Sequence, residues 1–239
     1  MLPILFTVQE YPIRGYSVSL AVGAVLGALL FWRQTRLEGR SGATALDLTA
    51  VGLLAALLGS RLLYTLLGAQ GSGLVFYGSW LALPVGSLFL WLRREPLLPT
   101  WDRAALVLPL VHAFGRVGCL LAGCCYGSPT DAPWSVVYPT TTVGTPWLPV
   151  HPVQLYEAAG LLVLSGALHA WYPRRQFPGQ TLLVYVSGYA FLRTLTECFR
   201  GDSGREGIWG LSFSQTLSLA ALALGLGLIG LLRLRAGRR

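Results

Sequence analysis

Long apolar stretches alternate with short polar segments along this chain of 239 residues. A helix that crosses a membrane needs about 20 predominantly apolar residues. Seven stretches approach that length, at about 16–32, 45–67, 74–92, 104–122, 153–172, 181–199 and 211–232. The pattern therefore predicts an all-α integral membrane protein with about seven transmembrane helices. No repeat or second block interrupts the series, so we expect a single transmembrane domain over 1–239, with an outer-face loop at 128–149.

The composition excludes an ordinary water-soluble protein. Hydrophobic residues make up 54% of the chain and charged residues only 12%, about half the charged fraction of a soluble domain. A net charge of +8 could suggest nucleic acid as a partner. However, the chain has no lysine, and most of its arginines stand at the ends of apolar stretches, where membrane topology places them. We expect a membrane and not a nucleic acid as the partner.

The arginines also predict an orientation. They are concentrated after the first, third, fifth and seventh apolar stretches, and arginine-rich loops lie on the cytoplasmic side. The N-terminus is then outside and the C-terminus is cytoplasmic. Arg200 and Arg205 depart from this rule, because the loop that carries them is predicted to lie outside. Their position suggests a function.

The densest chemistry lies in the segment HAFGRVGCLLAGCCYG. If this segment is helical, residues three or four positions apart share one face. The residues on that face are His112, Arg116, Cys119 and Gly123. Such groups are expensive to bury in lipid, so we expect them to face a protein cavity. Gly115 and Gly118, with Gly123, would let a helix or ligand approach closely. Tight glycine packing around a satisfied histidine is the alternative, but Arg116 would still need an anionic partner.

Arg193, Glu197 and Arg200 form a second constellation, in RTLTECFR, and would share a helical face. An internal salt-bridge ladder is the structural alternative. We expect instead that Glu197 orients the arginines and that a guanidinium remains available for an anionic lipid headgroup, because guanidinium binds phosphate through paired hydrogen bonds.

The segment HPVQLYEA carries Gln154 and Glu157 into the fifth stretch. A structural role is as plausible as a functional one, and Glu157 should pair with one of the arginines. Tyr16 and Tyr77 are further candidates, although tyrosines also anchor helices at membrane interfaces.

Three of the four cysteines are clustered at Cys119, Cys124 and Cys125. Adjacent cysteines rarely both bind one ion, so the spacing does not predict a zinc site, and we expect neither a metal nor a cofactor. A reactive thiolate is more plausible, because Arg116 and His112 would favour the charged form. Cys198 is expected to pack against a neighbouring residue.

Taken in order along the chain, these motifs resemble those of the prolipoprotein diacylglyceryl transferases. The resemblance rests on IRGYSVSLAVG, GSRLLYTLL with Arg61 and Tyr64, GRVGCLLAGCCYG, HPVQLYEAAG and RTLTECFRGD. It is most specific at eight positions: Gly115, Arg116, Gly118, Gly123, Gly127, Arg193, Glu197 and Arg200.

The resemblance implies a multi-pass monomer in the bacterial cytoplasmic (inner) membrane with its active site facing the outer leaflet. The family moves a diacylglyceryl group from phosphatidylglycerol to a thiol acceptor, the lipobox cysteine of a prolipoprotein. With the residue patterns, it suggests as catalytic residues His112, Arg116, Cys119, Cys124 and Glu197. The corresponding substrate-binding residues are Arg116, Arg193, Arg200, Tyr16, Tyr77, Gly118, Gly123, Gly127, Gln154 and Glu157.

The chain departs from the family pattern around the expected reaction centre. The two signature asparagines correspond to Cys119 and Ala122, and the signature glutamate to Cys124. The family's essential histidine falls on Tyr77, whose usual pKa near 10 makes a poor base at neutral pH. His112 could supply the base from another helix.

These departures leave two alternatives open. A membrane enzyme of the same fold could use the clustered cysteines for thiol-based transfer or redox chemistry on another substrate. A non-catalytic lipid or anion transporter could retain the cavity without the reaction. Cysteine-to-serine substitution separates thiol catalysis from transfer that needs only histidine and arginine.

Overall fold

The computed structural model describes residues 4–8, 11–68, 76–138, 147–201 and 210–236, and most of them are helical. Each of the seven apolar stretches coincides with an α-helix within these residues. The helices are α1 (Gly15–Leu37), α2 (Gly42–Leu66), α3 (Ala82–Leu92), α4 (Leu97–Ala122), α5 (Val153–Trp171), α6 (Gln180–Glu197) and α7 (Phe213–Ala236).

Four of the described helices are long and apolar enough to cross a membrane: α1, α2, α4 and α7. This supports an all-α membrane protein. The third apolar stretch forms a shorter apolar helix over Gly78–Leu92. Helices α5 and α6 carry several of the polar side chains described below. A count of seven spans and the orientation of the termini remain predictions.

Two pairs of short antiparallel strands were not expected from an all-α pattern. The first joins β1 (Ile4–Val8) to β2 (Tyr11–Arg14). The second joins β3 (Val136–Val137) to β4 (Pro149–Val150), at both ends of a segment predicted to be a loop. Residues 139–146 of that loop lie outside the described residues.

Two helix boundaries also differ from the prediction. The third stretch opens as a 3₁₀ helix over Phe76–Leu81, and its α-helical part is only 11 residues long. Helix α4 begins at Leu97 and not near 104, so Arg103 is inside a helix and buried, although it was assigned to a loop. An arginine can be helical and buried where a carboxylate meets it, and Arg103 pairs with Glu38.

The described structure divides into two compact units. The larger unit contains Met1–Gly27 and Ala104–Arg239, and the smaller unit contains Ala28–Arg103. A single domain over the whole chain therefore remains a prediction. Each unit is described by itself below.

The larger unit has a core where α4, α5 and α6 meet. Ala113, Ala158 and Leu161 are buried there, with Tyr189 and Leu192 packed against them. Gly160 allows this approach, because a Cβ at that position would lie 2.5 Å from a methyl carbon of Leu192. The small residues bring α5 and α6 close enough for their polar side chains to meet.

Candidate functional site

An ion-pair network joins α4, α5 and α6 in the larger unit. The Glu157 carboxylate on α5 contacts the Nε of Arg116 on α4 and the Nη1 of Arg193 on α6, the latter at 2.8 Å. The Nη2 of Arg193 also lies 2.8 Å from the Oε2 of Glu197, one turn along α6. The expectation that Glu157 pairs with an arginine is confirmed, and it pairs with two.

The start of α7 holds the far side of this network. The Ser212 hydroxyl donates to the Oε1 of Glu197 at 2.6 Å. The same hydroxyl accepts a hydrogen bond from the backbone N–H of Gln215, whose side chain accepts from the N–H of Ser212. This is a capping box, so Gln215 has a structural role at the helix N-terminus. The Nη2 of Arg193 also lies 3.4 Å from the Ser214 hydroxyl.

The carboxylates and the arginines differ in burial. The side chains of Glu157 and Glu197 are 1% and 2% exposed, whereas those of Arg116 and Arg193 are each 12% exposed. Two positive and two negative charges cancel within the network. Removing one member takes a charged partner away from a buried ion pair, which typically costs about 3–5 kcal/mol. The carboxylates therefore fix the guanidinium groups while part of each arginine remains accessible.

Tyr189 is a site residue that the sequence reasoning missed. Its hydroxyl lies 3.5 Å from the Nη2 of Arg116, and its ring centroid lies 4.6 Å from that of His112. Tyr189, Arg193 and Glu197 are spaced at four-residue intervals on α6 and so share one face. Extending the arginine motif one turn towards the N-terminus would have found this tyrosine.

The cysteine segment begins where α4 ends. His112, Arg116 and Cys119 lie within the helix as predicted, but α4 stops at Ala122, so Gly123 does not extend their face. Gly123 has a positive φ of 74° and donates to the Leu120 carbonyl at 3.2 Å. The Cys124 N–H donates to the Cys119 carbonyl at 3.1 Å. These two bonds form a Schellman motif, which favours glycine at the left-handed position.

The thiols of Cys119, Cys124 and Cys125 meet beyond this turn. Their Sγ atoms all lie within 4.8 Å of one another. Cys125 itself has a positive φ of 61°, which is uncommon for a residue other than glycine. Hydrogen bonds from the other two thiols lower the pKa of Cys125, and the positive charges of Arg200 and Arg116 act in the same direction. The cluster can therefore carry a thiolate.

Three backbone segments come together after the cysteines. The Gly127 N–H donates to the His151 carbonyl at 2.9 Å, and the Ser128 N–H donates to the Phe199 carbonyl at 2.8 Å. A Cβ on Gly127 would lie 2.5 Å from both the Cβ and the carbonyl oxygen of His151, so no side chain fits there. Arg200 forms an isolated bridge with Gly127.

Arg200 therefore lies beyond the end of α6 at Glu197 and does not continue the helical face of Arg193. The prediction of one face for all three residues was wrong, because the backbone turns after Glu197 to reach Gly127. The turn still keeps Arg200 close enough to the cysteines to influence the charge of Cys125.

Gln154 anchors the cysteine segment to the start of α5. The residue is 1% exposed, and its Nε2 donates to the Cys124 carbonyl at 2.6 Å and to the Tyr138 hydroxyl at 3.0 Å. Tyr138, which the sequence did not single out, is itself buried. Gln154 thus fixes the backbone of Cys124 beside the clustered thiols.

Other predicted residues have mixed outcomes. Gly118 admits Tyr16, whose Cδ2 would lie 3.0 Å from a Cβ at position 118. Gly115 was expected to allow close approach, but a Cβ there would meet no atom of the described residues within 4 Å. Cys198 was expected to pack against a neighbour, but it is exposed, and its thiol lies 3.6 Å from the Thr194 carbonyl.

Some candidates belong to other parts of the molecule or are not described. Arg61 lies over the Tyr64 ring at 5.4 Å in the smaller unit. The Tyr77 side chain and the whole of Arg205 lie outside the described residues. The His169 Nδ1 lies 2.9 Å from the Ser165 carbonyl, one turn earlier on α5.

Comparison with known proteins adds a family to this geometry. The family model described as prolipoprotein diacylglyceryl transferase matches residues 3–231. A phosphatidylglycerol–prolipoprotein diacylglyceryl transferase of Clostridium tetani is 30% identical over 98% of this chain and 99% of its own length. Proteins with the same description from Pseudoalteromonas translucida and Sinorhizobium medicae are 30% and 31% identical, over 95% and 94% of this chain and 91% and 89% of their own lengths.

Proposed function

Because this chain belongs to the prolipoprotein diacylglyceryl transferase family, we propose that it moves a diacylglyceryl group from phosphatidylglycerol to the thiol of a prolipoprotein. The observation that carries this proposal is the network of Arg116, Glu157, Arg193 and Glu197. It holds two guanidinium groups from different helices in fixed positions while each keeps part of its surface accessible.

The arginines would bind the headgroup phosphate. A guanidinium has five donors, and within the described residues Glu157 contacts the Nε of Arg116 and Tyr189 contacts its Nη2. Arg200, which forms a backbone bridge with Gly127, would contribute a third guanidinium near the site. As phosphate leaves, its charge grows, and donors held in place beforehand stabilise the transition state without reorganising.

The reaction exchanges one bond for another. The acceptor sulfur, as a thiolate, attacks the diacylglyceryl carbon bonded to the phosphate oxygen, and a C–S bond forms as the C–O bond breaks. Glycerol phosphate leaves with the bonding electron pair. The thiol proton goes to a base, for which we propose His112, one helical turn from Arg116 on α4.

The remaining predicted residues would shape the site around this chemistry. Gly118 admits Tyr16, Gly123 reverses the chain, and Gly127 joins it to His151. Gln154 fixes the cysteine segment, so Cys119 and Cys124 would lie beside the reaction centre. The role of Tyr77 stays a prediction.

A defined transfer assay tests the proposal. The purified chain would be incubated with phosphatidylglycerol vesicles and a lipobox peptide, and the peptide analysed by mass spectrometry. We expect the diacylglyceryl mass on the cysteine and one glycerol phosphate released per modified peptide. A peptide with serine in place of cysteine, and vesicles of phosphatidylethanolamine, serve as controls. No modified peptide from phosphatidylglycerol would contradict the proposed activity.

We further propose a monomer in the bacterial inner membrane with the site open to the outer leaflet. The alternation of arginine-rich loops supports this orientation. A reporter that is active only in the cytoplasm, fused after Arg239, should be active. Activity of a reporter specific to the outer compartment at the same position would reverse the orientation.

A further inference from the structure

No step of the transfer reaction above uses the thiols of Cys119, Cys124 and Cys125. Within the described residues these three side chains form a group that could hold a metal ion. Zinc binds thiolate at about 2.3 Å, so sulfurs around one tetrahedral ion stand roughly 3.8 Å apart. The three Sγ atoms, all within 4.8 Å of one another, need only a small contraction to reach that spacing.

The backbone explains how neighbouring cysteines can converge. Consecutive side chains normally diverge, which is why the sequence argued against a shared ion. Here the Schellman turn at Gly123 brings the chain back over Cys119, and the left-handed conformation of Cys125 redirects its side chain. A residue other than glycine in that conformation costs roughly 1 kcal/mol or more, so the surroundings must enforce it.

Those surroundings are fixed on both sides of the cluster. Gln154 holds the Cys124 carbonyl from α5, and the backbone bond between Gly127 and His151 holds the segment that follows. A site held in this way does not have to order its ligands when the ion binds.

We propose that Cys119, Cys124 and Cys125 together bind one thiophilic divalent metal ion of the zinc type through their sulfur atoms. Sulfur ligands select soft or borderline metals over magnesium and calcium. Cys124 is exposed, which gives an ion a route of entry. Three thiolates and a divalent ion carry one net negative charge, and the positive charges of Arg200 and Arg116 lie near enough to act on Cys125.

The fourth position of a tetrahedral ion would be filled by water or by a bound molecule. The metal-ligand group found among the described residues contains three sulfurs and no further histidine or carboxylate. Three protein ligands with an exchangeable fourth position is the arrangement of catalytic zinc sites, whereas structural sites have four. The metal proposal itself does not depend on the transferase activity.

Cadmium titration of the reduced, full-length protein in detergent tests the site directly, because cadmium–thiolate bonds absorb in the ultraviolet. We expect one ion per chain. Loss of a residue that only hydrogen-bonds to a metal ligand weakens metal binding about 10–100-fold. Loss of a ligand itself should cost more, so Cys119→Ser and Cys125→Ser should each weaken binding by about 100-fold or more. Cys198→Ser, which removes a lone exposed thiol, is the matched control and should bind as wild type does.

Thiol protection provides a second measurement on the wild-type chain, independent of how the variants fold. Bound zinc should slow alkylation of the three clustered cysteines and leave Cys198 unaffected, as read by peptide mass spectrometry. Three results would overturn the proposal. They are the absence of cadmium–thiolate absorption, equal cadmium affinity of Cys119→Ser and wild type, and a disulfide between clustered cysteines that survives treatment with a reductant.

Discussion

The two compact units each contain arginines paired with carboxylates, but the pairs are built differently. In the smaller unit, the Arg103 side chain is 3% exposed and meets Glu38 at 2.9 Å and the Thr100 hydroxyl at 2.7 Å. In the larger unit, Arg193 lies between two carboxylates and is 12% exposed. Arg103 is thus almost fully buried, whereas Arg193 is held by two carboxylates and remains partly exposed.

This difference separates a packing arginine from a binding one. A buried pair is weak grounds for stability, because desolvation offsets much of the attraction between the charges. Glu157 and Glu197 contact the two terminal nitrogens of the Arg193 guanidinium, so their value lies in fixing its position. Such fixed donors are what stabilisation of a leaving phosphate needs.

The largest expected effect is that of Arg193→Met. It removes an arginine that contacts two buried carboxylates, Glu157 and Glu197, so we expect a loss of roughly 3–5 kcal/mol in the free energy of unfolding. Unfolding in detergent and the transfer assay measure the two consequences, and transfer should be lost.

The matched control is Arg103→Met in the smaller unit. Its partner Glu38 is 26% exposed and can be hydrated, so this variant should lose less stability and keep its transfer activity. Equal effects of the two substitutions on transfer would remove the distinction between the units.

An intermediate effect is expected for Gly127→Ala. The new methyl group would collide with His151 and with the Phe199 carbonyl, and overpacking of this kind costs about 1–3 kcal/mol. Because Gly127 closes the cysteine segment, transfer activity should fall as well. Melting temperature and the initial transfer rate report the two effects.

Gly166→Ala on α5 is the control, because a Cβ there meets no atom of the described part of the chain within 4 Å. Alanine is favoured over glycine within a helix by about 0.5–1 kcal/mol. This variant should be slightly more stable and as active as wild type. A more stable Gly127→Ala protein would contradict the described backbone approach.

The smallest effect should come from the exposed pair of Arg93 and Asp47. Their side chains are 58% and 45% exposed, and pairs of this kind contribute about 0–1 kcal/mol. Asp47→Asn should therefore change the unfolding midpoint only slightly, and less at high salt. A change comparable with that of Arg193→Met would show that exposure does not separate the two kinds of pair.

Much of this architecture could be predicted from the sequence. Apolar stretches long enough for a bilayer located the seven α-helices of the described residues, and the spacing of His112, Arg116 and Cys119 placed them correctly on α4. The pairing of Glu157 with arginine also follows from the cost of burying a charge without a partner.

What could not be predicted depends on backbone turns and contacts between helices. The positive φ of Cys125 and the departure of Arg200 from the α6 face arise after helices end, where periodicity carries no information. Strands of two residues, such as β3 and β4, are too short to have a pattern. Burial of Arg103 depends on the position of Glu38, which no local motif specifies.

The most direct test of the account is the rate of thioether formation in Arg116→Lys beside Arg93→Lys. Lysine keeps the charge at each position but replaces the guanidinium fork with a point charge. With folding verified by melting, Arg116→Lys should form the modified peptide and glycerol phosphate about 100-fold more slowly, while Arg93→Lys matches wild type. Equal product formation by Arg116→Lys and wild type would contradict the role of the larger unit's arginine network in binding the phosphate.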